Sequence, residues 1–233
     1  MPLQFDAEMV RPLELTVEDK DLDLLRRKLH FKLSRPAQKA QLTVVMDTGK
    51  VALDDELTFR GEPAGTRLEV TWPEAPGQVI KIALRAYDTS DAYTSVELFP
   101  WQLEVPHQDV AFDAGKWEIP KDQHQKLDLS YRELSRAVAK FLPLVPVRLF
   151  IVAHPMSKQD GEISLHRARA IARFFQKRRL RIPILYGALP ESVFPASTAG
   201  PGGDPSAPSV RYILSVGDPD FASGQVKPSW QTL

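Results

Sequence analysis

The side chains that carry acid–base, nucleophilic or metal chemistry are present in this chain but dispersed. Five histidines stand at positions 30, 107, 124, 154 and 166. None falls in the HExxH spacing that sets two imidazoles on one helix face. There is no Gly-x-Ser-x-Gly elbow to present a nucleophile. Gly200-Pro-Gly-Gly203 has the glycines of a phosphate cradle but neither the lysine nor the following helix. Asp54-Asp55-Glu56 reads more simply as a polar turn ahead of a strand at Leu57 than as a carboxylate metal site. Cysteine is absent, which excludes disulfides, thiolate catalysis and cysteine metal sites. The expectation is therefore a protein that is not an enzyme, with no catalytic residues, no metal and no cofactor. One run remains: Arg167, Arg169, Arg173, Lys177, Arg178, Arg179 and Arg181, with no acid among them. Phe174 and Phe175 are adjacent on the same helix, so at least one belongs to the core, and the aromatic stacking platform of a single-strand nucleic-acid site is not evident. A solvated helix face is the default, and no nucleic-acid partner is expected.

Composition sets the frame for these residues. The chain has 233 residues, enough for two domains, with 43% hydrophobic and 26% charged side chains, a globular balance. Net charge is zero. Residues 1–106 hold 13 Lys and Arg against 18 Asp and Glu, a balance of −5, and residues 107–233 hold 17 against 12, a balance of +5. No basic region followed by an apolar one opens the sequence, so no signal peptide is visible. The most apolar run, 141–153, contains Pro143, Pro146 and Arg148 and falls short of the ~20 residues that span a bilayer, so no transmembrane segment is expected.

Two periodicities divide the chain. Up to Val105, apolar and polar residues alternate in short runs: 13–17, 29–33, 42–44, 57–59, 68–70, 79–84, 96–98 and 101–105. Period two marks strands with one wet face, and turn signals at Asp47-Thr-Gly49, Gly61 to Gly65, Pro73 to Gly77 and Asp88 to Asp91 separate them. Strands at this spacing predict an immunoglobulin-like β-sandwich over residues 1–106. Val105-Pro-His107 reads as a hinge. Beyond it the period changes. Val110-Ala-Phe112 is a short strand. Leu127, Tyr131, Leu134, Val138 and Phe141 keep a helical spacing, stopped by Pro143 and Pro146. Val147–Ala153 is a continuous apolar strand. A second helix runs over 163–178 with Ser164 as its N-cap. Strands follow at 182–186 and 211–216. The order predicts a β-α-β-α-β-β α/β sandwich over 107–217, making an α+β two-domain protein. Residues 195–208, almost all Pro, Gly, Ala, Ser and Thr, are expected as a mobile loop, and 218–233 as a tail.

In four phrases the C-terminal half resembles the OmpA-like peptidoglycan-associated family. Val110-Ala-Phe112 with Gly115-Lys-Trp117 is similar to the family's opening strand and turn. Val147 to His154 resembles the strand leading into its Gly-His-Thr-Asp turn. Ile163-Ser-Leu-His-Arg-Ala168 resembles its Leu-Ser-x-x-Arg-Ala helix start. Ile182 to Gly187 resembles the strand before its Gly-x-Gly-Glu turn. The resemblance implies a bacterial envelope protein, periplasmic or associated with the outer membrane, that binds the zwitterionic end of diaminopimelate in peptidoglycan. It implies an arginine fork for the carboxylate, matched here by Arg167, with Ser164 in the same phrase and His154 on the turn. The family's aspartate, which accepts from the ammonium, is replaced by Met156. The loop after His154 is shorter than the family's, the Gly-Glu turn has become Leu189-Pro-Glu191, and the Asn-Arg-Arg before the last strand is missing. The expected partner is peptidoglycan, held weakly or by altered contacts, or else an envelope protein bound by a scaffold that has lost the ligand.

Overall fold

The computed structural model describes residues 12–154, 161–189, 210–221 and 228–233. It divides into two compact units, Met1–Pro100 and Trp101–Leu233. Among the described residues the chain is mostly β, with thirteen strands in three sheets and two α-helices.

The N-terminal unit holds strands β1 (Leu15–Thr16), β2 (Leu22–Asp23), β3 (Lys28–Leu33), β4 (Ala37–Met46), β5 (Val51–Glu62), β6 (Leu68–Thr71), β7 (Val79–Asp88) and β8 (Tyr93–Leu98). One antiparallel sheet runs β5-β4-β7-β8; in the other, β3 pairs with β1, β2 and β6. The alternation is what drives the two together. Leu42, Val44 and Met46 of β4, Ile82, Leu84 and Ala86 of β7, and Leu29, Phe31 and Leu33 of β3 share one buried core. The tight turn between β4 and β5 needs Gly49, whose φ is 81°, in the left-handed region. Asp54, Asp55 and Glu56 lie within β5, not in a turn before it: Thr43 Oγ1 on β4 donates to Asp54 Oδ1 at 2.8 Å. Among the described residues β5 is an edge of its sheet.

One buried charge organises the hairpin between β7 and β8. Asp88, 2% exposed, accepts from the Ser90 N–H at 2.8 Å, the Ser90 hydroxyl at 2.6 Å, the Ala92 N–H at 3.1 Å and Arg35 Nη1 at 3.1 Å. Burial pushes its pKa up, but these donors outweigh burial and hold the carboxyl below its ordinary range.

The C-terminal unit contains β9 (Gln102–Glu104), α1 (His124–Phe141), β10 (Arg148–Ala153), α2 (Gly161–Lys177), β11 (Ile184–Ala188), β12 (Val210–Ser215) and β13 (Gln231–Thr232). Its sheet runs β13-β11-β10-β12-β9, with β10 and β11 parallel and the other pairs antiparallel. β10 is a continuous apolar run because both of its faces are covered. Tyr212 of β12, in the same sheet, packs edge-on against Phe175 of α2. Phe150 and Val152 join Leu189, Ile213, Phe221 and Trp230.

The expected architecture is corrected here. The immunoglobulin-like sandwich followed by an OmpA-like β-α-β-α-β-β α/β sandwich gives way to a mainly β chain in three sheets. Val110-Ala-Phe112, expected to open the second sheet, is not a strand. Its Ala111 N–H donates instead to the Gln123 side chain at 3.2 Å. The alternation at 101–105, grouped above with the first set of strands, pairs with β12 in the second unit. Arg211 Nε clamps that pairing on Glu104 Oε1 at 2.7 Å. The tail contributes β13 and Trp230. Residues 195–208 lie outside the described residues.

Tyr212 supplies a direct check on this core. Its hydroxyl is fully enclosed with no hydrogen-bond partner, and burial, reinforced by the charge of Asp109, drives its pKa far above the usual phenol range. An unpartnered buried hydroxyl costs stability. Tyr212→Phe is expected to leave the unit as stable or to gain up to about 1 kcal/mol, read from the urea midpoint. A clear loss would mean that the hydroxyl has a partner.

Candidate functional site around Arg167

Arg167 sits in the second turn of α2, on the face that turns inward. Ala168, Ile171, Ala172 and Phe175 of the same helix are all fully buried, and Arg167 is itself only 8% exposed. A guanidinium this deep must give its donors to something. It gives them to the loop before α1. Nε donates to the Lys116 carbonyl at 2.9 Å and Nη2 to the Asp113 carbonyl at 3.1 Å. The cation lies 5.0 Å from the centroid of the Phe112 ring, within cation–π range.

The loop is shaped to receive it. Lys116 N–H closes a turn on the Asp113 carbonyl at 3.1 Å, Gly115 adopts φ 68°, and Lys116 Nζ pairs with Asp113 Oδ2 at 3.0 Å. The Asp113 carbonyl thus takes two hydrogen bonds, one from its own turn and one from Arg167. Chemically this is a clamp between helix and loop. A guanidinium has five N–H donors in a fixed fork, and two of them are engaged by main chain.

The other expected site residues fall as follows. His154 stands directly after β10, partly buried at the end of the strand. Ser164 is not an N-cap. The helix begins at Gly161, so Ser164 lies inside it, fully buried, with no hydrogen-bond partner for its hydroxyl. Met156 lies outside the described residues. Among the described residues, no three histidine, aspartate or glutamate side chains converge to hold a metal ion. No helix among them is long and apolar enough to cross a membrane.

A second feature lies on the outer side of the same helix. Trp117, the residue after the clamp, is 44% exposed, and its indole packs against His166 with ring centroids 5.2 Å apart. With Arg169, Ala170 and Arg173 these two line a groove of about 240 Å³. Trp117 was quoted above only as part of a turn phrase. The signal that could have found its role is the spacing 166, 169, 170, 173, one face of a helix, but nothing in the sequence ties Trp117 to that face. Compared with known proteins, the chain matches no protein-family model and no curated protein.

Proposed function

We propose that this chain is a non-catalytic module of the bacterial cell envelope, in the periplasm or associated with the outer membrane, with a degenerate diaminopimelate site. The reading is supported by the three phrases at 147–154, 163–168 and 182–187 that resemble OmpA-like peptidoglycan-associated proteins. The observation that carries the word degenerate is the Arg167 clamp: the arginine at the family's fork position donates to the Asp113 and Lys116 carbonyls. The family aspartate is replaced as well, by Met156. Losing one partner of a buried charged pair costs ~2–5 kcal/mol, so retention on purified sacculi is expected to be at least ~30-fold weaker than that of an intact family domain run beside it. Equal retention would overturn the reading.

One observation favours a second reading, in which ligand binding is gone and the protein works by contacts with another envelope protein. The tip between β2 and β3 carries Leu24 at 41% and Leu25 at 92% exposure. Two adjacent bare leucines are the kind of anchor a partner buries. Complete loss of sedimentation with sacculi at all concentrations would favour this second reading.

A further inference from the structure

We infer that the groove of Trp117, His166, Arg169 and Arg173 is a binding site for an anionic sugar residue, one ring bearing a carboxylate. The inference stands apart from the envelope reading and does not involve Arg167 as a ligand. Three observations carry it. First, Trp117 keeps 44% of its surface in water while His166 backs its ring, so a large aromatic plate is held in place yet not used by the core. Exposed, fixed aromatic plates are the surfaces on which the apolar C–H faces of pyranose rings stack, and tryptophan is among the residues that most often anchor an interface. Second, Arg169 and Arg173 flank the plate, both exposed, and neither has an ion-pair partner among the described residues, nor does Lys177 one turn further on. Arg178, by contrast, is paired with Asp128 at 2.7 Å. Asp113, beside the clamp, is already matched by Lys116. Unmatched guanidinium forks next to a stacking plate are complementary to a carboxylated ring. Third, the groove holds about 240 Å³, below the 300–1,000 Å³ of sites for drug-sized ligands. That is room for one ring of a polymer.

Size and charge also choose against the main rival. Nucleic acid would use the same plate and cations. However, its affinity comes from neutralising many phosphates, and here the plate has two flanking arginines and Lys177 one turn on, in a half of the chain whose balance is only +5. An acidic peptide would use the arginines but has no need of the indole.

The test titrates the full chain with a trigalacturonate, following tryptophan fluorescence and amide shifts at 116–118 and 166–173. Trp72 and Trp101 are both 5% exposed and should not respond. Saturable quenching with shifts confined to those positions is expected. Arg169→Gln with Arg173→Gln should weaken it about tenfold, and Trp117→Ala by about the same factor. These positions are surface-exposed, so the fold should survive, and Trp117→Phe, which keeps a ring, should lose less. The methyl-esterified trisaccharide, which lacks the charge, should bind weakly or not at all. No binding of trigalacturonate, or binding untouched by these variants, would overturn the inference. So would tighter binding of an oligo-dT that is sensitive to the same variants. Binding of a poly-glutamate peptide indifferent to Trp117→Ala, with no response to the sugar, would overturn it as well.

Discussion

Replacing Arg167 with alanine is expected to destabilise the C-terminal unit by about 3–4 kcal/mol. Hydrogen bonds to charged groups contribute ~1.5–3 kcal/mol each and a cation–π contact ~1 kcal/mol, with less than full additivity among neighbours. The substitution would delete two such bonds, taking the Arg167 donor from the Lys116 carbonyl and one of two donors from the Asp113 carbonyl. Domains of this size are stable by ~5–15 kcal/mol, so the loss is a large share of the total. Urea denaturation followed at the C-terminal unit's transition should show it, together with faster amide exchange at 113–117. Arg167→Lys should recover little, because a single ammonium cannot reproduce the planar fork. An arginine held only for a ligand would behave otherwise: the alanine variant would lose binding and keep its stability.

The N-terminal unit has its own buried charge, and Asp88→Ala is expected to cost about 3 kcal/mol. It removes the acceptor for two N–H groups, one hydroxyl and Arg35 at the turn between β7 and β8. The pH dependence follows from the direction of its shift. The folded pKa lies below the unfolded one, so the carboxylate's contribution is fully present above the ordinary carboxylate value of about 4 and is lost as pH falls through the folded pKa. Asp21 acts in the same sense: the Glu18 N–H holds its carboxyl low, against the opposing effect of burial, with Arg67 assisting. The urea midpoint of this unit should therefore drop as pH falls below about 4. The drop should be shallower in Asp88→Asn, which starts lower. An unchanged slope would remove Asp88 as a source of acid sensitivity.

Local pattern was legible where one physical force dominates. The alternation at Leu29–Leu33, Leu42–Val44 and 79–84 produced β3, β4 and β7 because each strand has one dry face. The three-four spacing at Leu127, Leu134, Val138 and Phe141 produced α1, although the buried position between Leu127 and Leu134 is Ser130 rather than Tyr131, its hydroxyl donating to the Lys126 carbonyl at 2.9 Å. Long-range choices were not legible. Residues 101–105 alternate like any strand, and nothing in that pattern says that their partner is β12, over a hundred residues later. Val110-Ala-Phe112 has the composition of a strand, but Phe112 is drawn to Arg167 and Ala111 to Gln123. At the candidate site, the sequence marked Arg167 for its charge. Only the fold turns that charge inward on a loop while Arg169 and Arg173, on the same helix, face solvent.

The acidic stretch within β5 has a consequence for how copies of this protein behave together. Val51–Glu62 is a long strand, and among the described residues its outer backbone edge has no neighbouring strand, the usual template for one molecule to recruit the next. Were two such edges to meet antiparallel in the register centred on Asp55, Asp54, Asp55 and Glu56 of one would face the same acids of the other. At neutral pH that repulsion acts as a guard against stacking into fibres. Acidification works on the unit behind that edge, through the loss of the Asp88 and Asp21 carboxylates. Handling below about pH 4 therefore leaves a loosened unit behind an open strand edge, and concentrated solutions of the protein are best kept well above it.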